Sequence, residues 1–306
     1  MNGGHAFLKA YFIPIIVRFP TGNGPVRAPL KAMKFPVNSL RIGAVSYLNS
    51  KPLIENWSDF APQAALSLDL PSRLADGLRQ GTYDVALIPS VEYFTDPAYS
   101  ILSDACIACH GPVWSVKVVF RTLPHRVKTL ALDEGSRTSA ALAKVLLRER
   151  LGLSPTLKPF PINEEIEATN ADAVVVIGDR AMHLEDSPFV EVWDLGQEWI
   201  ADTGLPFVFA MWVARPHFSD DAFGQTLSRI RDLGVSSAHE IANREAHKYG
   251  LTSAAVLRYF EKHLHFRLGE RERRGLEEFR RRAGRIGLVP EATNCGSSTS
   301  PSPVVV

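Results

Sequence analysis

The chain of 306 residues is 45% hydrophobic, 22% charged and 9% aromatic, proportions that are typical of an ordinary globular protein. A chain of this length buries roughly 75% of the surface that its unfolded form exposes, so it needs no disulfide or structural metal and can form two lobes. The 34 Lys and Arg residues nearly balance the 33 Asp and Glu residues, and a net charge of +1 does not favour nucleic acid as a partner. No stretch approaches the ~20 consecutive apolar residues of a membrane span, which argues against a membrane protein.

The two ends of the chain differ from its middle. Residues 1–38 contain scattered Gly and Pro around a short apolar run that Pro14 interrupts, and Lys9 is the only strong charge before that run, which makes a poor secretory signal. Met33 offers a natural start, so we expect residues 1–38 to be a disordered extension or to lie upstream of the true start. Residues 289–306 are rich in Ser, Thr and Pro, and we expect them to form a disordered tail.

The first predicted elements alternate between strand and helix. Leu40–Leu48 is typical of a strand, and Asn49 after it is a favoured helix N-cap. Ala64–Leu70 alternates as a second strand, and Pro71 suits the first turn of a helix. Tyr83–Pro89 is a short apolar run that suits a buried parallel strand. Together these elements predict a βαβ lobe with its loops at the carboxyl ends of the strands.

The pattern then repeats in a second lobe. The β-rich stretch Ser115–Thr122 leaves the first lobe, and Val127–Leu132 predicts the next strand. A strong helix pattern covers Ala140–Leu151, and Ala173–Ile177 is the most evident buried strand of the sequence. Phe207–Val213 predicts the strand that returns to the first lobe.

From Ser219 onward the pattern is helical. The Arg-rich stretch Arg267–Arg285 is interleaved with Glu, which favours a salt-bridged helix face over a nucleic-acid site. Two α/β lobes, two crossings and a C-terminal helical segment are typical of the type II periplasmic-binding-protein fold. We predict lobe 1 over residues 39–118 and 208–288 and lobe 2 over residues 119–207, with the ligand in the cleft between them.

The cysteine and histidine patterns leave two interpretations open. The segment Cys106-Ile-Ala-Cys109-His110 matches the spacing of c-type haem attachment, but it also fits a buried strand, which we favour. His263 and His265 lie two residues apart and would point to opposite sides of a helix. We therefore expect neither a metal site nor a cofactor.

Three turns place N–H groups and short polar side chains at predicted helix starts, where the helix dipole favours an anion. The turn from Gly135 offers Ser136, Arg137, Thr138 and Ser139; the other two are Ser46–Ser50 and Gly178-Asp179-Arg180. The alternative for each turn is plain helix capping. Since no motif of a hydrolase, a zinc protease, a P-loop or a dinucleotide site occurs, the residue patterns alone predict a two-lobed protein that binds a small anion.

Four segments resemble the chorismate dehydratase family of the futalosine route to menaquinone, over about residues 39–288. They begin at Arg41, Asp84, Gly111 and Gly178, and the most specific is the turn Ser46-Tyr-Leu-Asn-Ser-Lys-Pro-Leu53. The resemblance implies a cytoplasmic hydro-lyase that converts chorismate to 3-[(1-carboxyvinyl)oxy]benzoate and water.

The resemblance also suggests roles for residues. Asn49 is predicted to orient the reacting part of the substrate, and the predicted binding residues are Ser46, Tyr47, Ser90, Ser115, Ser136, Arg137, Thr138, Ser139 and Gly178. We hypothesise that the enolpyruvyl carboxylate of chorismate takes the proton, because no protein base stands out.

Two alternatives remain at this point. One is an enzyme of the same pathway that resembles 1,4-dihydroxy-6-naphthoate synthase, whose motifs fit this chain less well. The other is a non-catalytic solute-binding protein for a small carboxylate, which a cleavable export signal and an absence of turnover would favour.

Overall fold

The computed structural model describes residues 40–184 and 188–291, which form two β-sheets joined by two crossings of the chain. The prediction for residues 1–38 and most of that for residues 289–306 lie outside these residues, but Val289, at the start of the predicted disordered tail, is buried. No helix in the described part of the chain is long and apolar enough to span a membrane.

The first sheet has six strands in the order β11-β4-β10-β3-β1-β2. In chain order they are β1 (Leu40–Val45), β2 (Ala64–Asp69), β3 (Val85–Pro89), β4 (Ser100–Cys109), β10 (Phe207–Ala214) and β11 (His265–Arg267). Strands β1, β2 and β3 are parallel, whereas β10 runs antiparallel to both β3 and β4. All eight residues of β10 are buried, as a central strand covered on both faces requires.

The second sheet has five strands in the order β7-β6-β8-β5-β9. They are β5 (Val116–Phe120), β6 (Thr129–Asp133), β7 (Thr156–Phe160), β8 (Ala173–Ile177) and β9 (Glu191–Asp194). Strand β5 pairs with β8 and β9 along its whole length, so it belongs to this sheet. The predicted lobe boundary between residues 118 and 119 therefore falls inside a strand, and the first crossing lies in residues 110–115.

Helices cover the faces of both sheets. The α-helices are α1 (Trp57–Phe60), α2 (Pro71–Arg79), α3 (Ser90–Tyr93), α4 (Arg137–Leu151), α5 (Asp179–Met182), α6 (Leu195–Thr203), α7 (Asp221–Ser236), α8 (Ala238–Glu245), α9 (Ser253–Arg258) and α10 (Glu270–Arg285). Short 3₁₀ helices are Leu48–Leu53, Pro124–Arg126, Ile166–Ala168 and Ala246–Tyr249, and a π-helical turn, Tyr259–His263, follows α9.

The prediction that the whole region after Ser219 is helical is wrong at one place. Strand β11 pairs with the edge of the first sheet along β4. Phe266 in its centre is buried while Arg267 is exposed, which is the period-two pattern of a strand. The short length of this segment hides that pattern among the surrounding helices.

The first strand is shorter than its predicted range, and the simpler interpretation of the turn after it, that Asn49 caps a helix, is wrong. Strand β1 ends at Val45, whose carbonyl accepts a hydrogen bond from Ser50 Oγ at 2.5 Å. The 3₁₀ helix Leu48–Leu53 follows, with Tyr47 at its N-cap and no side-chain cap bond. Asn49 is the second residue inside this helix, so its amide is not used for capping.

Gly234 of α7 sets the position of the helix that carries Asn49. A Cβ atom on Gly234 would lie 1.9 Å from the Pro52 carbonyl oxygen. We expect Gly234→Ala to lower the free energy of unfolding by at least about 2 kcal/mol, because the clash is with backbone and no rotamer change relieves it. Urea unfolding measures this, with Gly111→Ala as the control, since its Cβ would meet nothing closer than 3.9 Å. Equal stability of the two variants would contradict this account of the packing.

Candidate functional site

A small cavity of about 40 Å³ lies between the two lobes. Its polar lining comes from strand-to-helix turns of both lobes: Tyr47, Asn49, Ser115, Ser136, Ser139 and Gly178. Its apolar lining is Val45, Pro71, Pro89, Ile107, Val113, Val116, Ile177, Phe209 and Ala210. Six of the ten residues predicted for the site thus face one cavity, although residues 49 and 178 are far apart in the chain.

Asn49 brings an unsatisfied polar atom to this cavity. Its Oδ1 is buried and has no hydrogen-bond partner. A buried amide oxygen without a partner costs about 1–3 kcal/mol, so the side chain is arranged for a donor that the protein does not supply. A hydroxyl group of a bound ligand would provide that donor.

Ser115 enters the cavity from the first crossing and is fixed by hydrogen bonds on three sides. The Tyr259 hydroxyl donates to Ser115 Oγ at 2.8 Å, and the Gly178 N–H donates to the Ser115 carbonyl oxygen at 2.8 Å. The Ser115 N–H donates to the Val113 carbonyl oxygen. Because Ser115 Oγ already accepts from Tyr259, its own hydrogen is available to donate to a ligand.

The crossing itself is held by the carboxylate of Asp194, the N-cap of α6. This carboxylate accepts hydrogen bonds from the backbone N–H groups of Val113 at 2.8 Å and Trp114 at 2.6 Å, and also from Gly196 and Gln197. Trp114 has a φ of 65°, a left-handed conformation that costs an ordinary side chain about 1–2 kcal/mol. The two hydrogen bonds from Val113 and Trp114 to Asp194 hold this strained segment against the start of α6.

The N-terminus of α4 supplies the hydroxyl-rich wall of the cavity. Ser136 is the N-cap and its Oγ accepts from the Ser139 N–H at 3.3 Å, while the two hydroxyl oxygens lie 2.8 Å apart. Ser136 therefore does cap the helix, as the simpler interpretation of this turn predicted, and it also faces the cavity. A 15-residue helix directs its positive dipole end at this point.

The structure contradicts the expectation that Arg137 reaches the ligand. Its guanidinium contacts Asp76 at 2.8 Å and Glu92 at 3.3 Å, two carboxylates of the first lobe, and it does not line the cavity. The two acidic partners lie on α2 and α3, which pack against α4 from the other lobe. Arg137 therefore bridges the lobes.

Three other predicted residues also lie outside the cavity lining. Thr138 Oγ1 accepts from the Val91 N–H at 3.2 Å and lies 3.4 Å from Ser90 Oγ, so both side chains join the lobes. Ser90 Oγ donates to the Val208 carbonyl oxygen at 2.7 Å. The Ser46 N–H donates to the Asp69 carbonyl oxygen at 3.0 Å.

The lobes contact each other directly, which closes the cavity. The Ser72 N–H of α2 donates to the Gly135 carbonyl oxygen at 3.3 Å, a backbone bond from one lobe to the other. The ring of Tyr47 lies against Gly178, whose φ of 64° favours glycine and where a Cβ would meet the ring at 3.5 Å. Burial raises the pKa of Tyr47 and the Asp133 carboxylate adds to the effect, so this phenol stays neutral.

Two residues around the site, Tyr259 and Asp194, carry no signal in the sequence. Tyr259 lies 144 positions after Ser115, and Asp194 binds the crossing 80 positions away, so only the fold joins them. Asp179 belongs to a turn that the sequence did indicate, but its side chain lines a separate groove with Glu164 and Lys248. Its Oδ1 is buried without a partner, and burial raises its pKa to about 6, against the opposing effects of His183 and Lys51.

The cysteines of the haem-like motif are buried on β4, with side chains at most 1% exposed. Burial raises the pKa of both thiols, that of Cys109 to about 12. Covalent haem attachment needs accessible, reactive thiols, so the buried-strand interpretation holds for this motif.

A two-lobed α/β protein with its cavity between the lobes has a periplasmic-binding-protein-like fold, as predicted. The structure is similar to that of a periplasmic aliphatic sulphonate-binding protein from Escherichia coli, with a TM-score of 0.52, 16% identity and coverage of 82% of this chain and 94% of that one. A protein from Archaeoglobus fulgidus is similar with a TM-score of 0.67, 16% identity and coverage of 83% and 100%. These similarities confirm the fold class.

The family follows from sequence. A family model described as menaquinone biosynthesis matches residues 40–285. The chorismate dehydratase of Thermus thermophilus is 31% identical over 229 residues, which is 69% of this chain and 83% of that protein. The enzyme of the same name from Campylobacter jejuni is 25% identical and covers 78% of this chain and 94% of its own length. The chain belongs to this menaquinone biosynthesis family of enzymes, which confirms the predicted resemblance.

The raised pKa of Asp179 predicts how stability depends on pH. With a pKa of about 6 when folded and 3.8 when unfolded, the folded state binds more protons between these values, so stability falls as the pH rises from about 4 to 6. We expect Asp179→Asn to raise the free energy of unfolding at pH 7.5 by up to about 3 kcal/mol, and to have little effect near pH 4.

Urea unfolding at the two pH values measures this difference. The matched control is Asp59→Asn, which removes an exposed carboxylate and should change stability little at either pH. A gain in Asp179→Asn that is the same at both pH values would contradict the titration argument.

Proposed function

We propose that this chain is a chorismate dehydratase: a hydro-lyase that eliminates water from chorismate to give 3-[(1-carboxyvinyl)oxy]benzoate in the futalosine route to menaquinone. We place the reaction in the cytoplasm, as the family resemblance implies. The observation that carries the proposal is the buried, unpartnered Oδ1 of Asn49 in a closed cavity rich in hydroxyl donors. The choice of chorismate as the substrate rests on the two chorismate dehydratases to which this chain is similar.

Chorismate is a dianion, and the cavity would bind it through polar N–H and O–H groups rather than through cationic side chains. Among the described residues that line the cavity none is Lys or Arg, so the carboxylates would meet N–H and O–H groups instead. The ring carboxylate fits the N-terminus of α4, where Ser136, Ser139 and the helix dipole converge. The Ser115 hydroxyl, with its acceptor side occupied by Tyr259, would donate to the second carboxylate.

Loss of the C3 proton leaves negative charge that the ring diene delocalises onto the ring carboxylate. Donors fixed before the reaction stabilise that charge as it develops, because they need no reorganisation. The C4 hydroxyl then leaves with the C–O bonding pair and takes up the proton removed from C3, so that water is released and the ring becomes aromatic. Asn49 Oδ1 would accept a hydrogen bond from the C4 hydroxyl and so orient the leaving group above the ring.

The proposed base is the enolpyruvyl carboxylate of the substrate. No Asp, Glu, His or Lys is among the described residues that line the cavity, and Asp179 lines a different groove. The enolpyruvyl group is attached at C3 itself, so its carboxylate reaches the C3 proton without help from the protein. The enzyme then contributes orientation, exclusion of water and stabilisation of charge.

Incubation of the purified chain with chorismate tests the proposal directly. We expect the ultraviolet absorption of the cyclohexadiene to be replaced by that of a substituted benzoate, with release of one water. Binding of chorismate without turnover would instead indicate a solute-binding protein. Conversion of a cyclised futalosine derivative in place of chorismate would indicate the naphthoate-forming enzyme.

Asn49→Ala provides the sharpest test of the site. Because Asn49 makes no capping bond, we expect the melting temperature to change little, while kcat falls by at least about a hundredfold, or ~2.7 kcal/mol of transition-state stabilisation. Turnover and melting temperature should be measured on the same preparation.

Asn49→Asp is the companion variant. It keeps the shape and one carbonyl-like oxygen but places a negative charge beside a dianion, so we expect it to be inactive as well. An active Asp variant, or a large loss of stability in Asn49→Ala, would contradict a role of the amide in orienting the substrate.

Tyr259→Phe tests whether the orientation of the Ser115 hydroxyl matters. The phenyl ring keeps the edge contact with Trp114 at 5.7 Å and removes only the hydrogen bond to Ser115. We expect kcat/KM to fall about two- to tenfold, against about a hundredfold for Ser115→Ala. Tyr93→Phe, remote from the cavity, is the control, and identical kinetics of the Tyr259 variant and the wild type would refute the positioning role.

A further inference from the structure

His110, His265 and Glu272 meet on the outer side of the first lobe, away from the cavity. His110 follows β4, His265 opens β11, and Glu272 lies in the first turn of α10. One ligand atom of each lies within 4.8 Å of the other two. His110 Nε2 is 2.7 Å and His265 Nε2 is 3.9 Å from the same oxygen, Glu272 Oε1.

These separations bracket what a tetrahedral zinc ion requires. Zinc bonds to imidazole nitrogen and carboxylate oxygen are about 2.0–2.1 Å long, which places ligand atoms about 3.3 Å apart. The pair at 2.7 Å must open and the pair at 3.9 Å must close by about 0.6 Å each. His110 is 42% exposed, so its ring can make this adjustment and a water molecule can reach the fourth position.

The surroundings of the cluster hold two of the three ligands in place. The other carboxylate oxygen of Glu272, Oε2, accepts from the Gly269 N–H at 3.0 Å and caps α10. His265 lies on β11, whose pairing with β4 at Ala108 holds its backbone beside the end of β4.

We propose that His110, His265 and Glu272 form a binding site for a divalent first-row transition-metal ion such as Zn²⁺, with two imidazole ligands, one carboxylate and one open position. Two His and one Glu form a set that suits zinc better than magnesium or calcium, which prefer oxygen ligands. The ion would tie the end of β4 and the edge strand β11 to α10, next to the crossing that carries Ser115. This structural role of the metal ion would be independent of chorismate turnover.

Competition between the purified chain and a chromophoric zinc chelator measures the binding. We expect one tight Zn²⁺ equivalent per chain, no competition from Mg²⁺ or Ca²⁺, and a rise in melting temperature on adding Zn²⁺. His110→Ala and His265→Ala should each weaken binding at least about tenfold to a hundredfold, since even the residues that hydrogen-bond to metal ligands contribute that much. His125→Ala, which removes an exposed histidine elsewhere, is the control and should bind as the wild type does.

Glu272→Gln separates the metal site from the cap of α10. The amide can still accept from the Gly269 N–H, so the variant should melt like the wild type without zinc and lose both the tight binding and the zinc-dependent stabilisation. If the wild type binds no zinc, or if all four variants bind it equally, the cluster is only a hydrogen-bonded cap of α10 and the proposal is overturned.

Discussion

The half-buried carboxylate of Asp194 makes the interaction on which the geometry of the site depends. It caps α6 in the second lobe and at the same time binds the two N–H groups of Val113 and Trp114, in the segment that crosses between the lobes. Trp114 keeps a left-handed conformation only because these bonds offset its strain. Ser115 follows immediately, so this carboxylate helps to place its backbone, while Tyr259 orients its hydroxyl.

Ion pairs of Arg137 join the two lobes and keep its positive charge out of the cavity. The cationic side chain nearest to the hydroxyl-rich turn, Arg137, is neutralised by Asp76 and Glu92 of the other lobe and helps to hold the cavity closed. The cavity is left with hydroxyl groups, an amide and a helix N-terminus. Such dipoles are fixed before the substrate binds, and they stabilise the negative charge that spreads over the ring in the transition state. An ion pair with a substrate carboxylate would stabilise the ground state as much as the transition state and so would not accelerate the reaction.

Much of the fold could be predicted from local patterns. The run Ala173–Ile177 is β8 to the residue, because a strand buried on both faces is apolar throughout and β-branched side chains favour it. The turns that line the cavity could be found too, since strands of one sheet present their carboxyl ends at one edge. The direction of the Arg137 side chain could not be predicted. Its partners Asp76 and Glu92 lie 61 and 45 positions away, on helices whose packing no local pattern encodes.

The sequence by itself determined the two lobes, the family and the turns rich in Ser, Asn and Gly, because these depend on periodicity and on short motifs. Only the tertiary structure decided which side chains face the cavity. It made Asn49 an unpaired amide rather than a helix cap, joined Tyr259 to Ser115, and brought His110 beside His265 and Glu272. The physical reason is that a hydrogen bond or a metal site requires atoms within about 3 Å, and residues more than a hundred positions apart meet at that distance only once the sheets have packed.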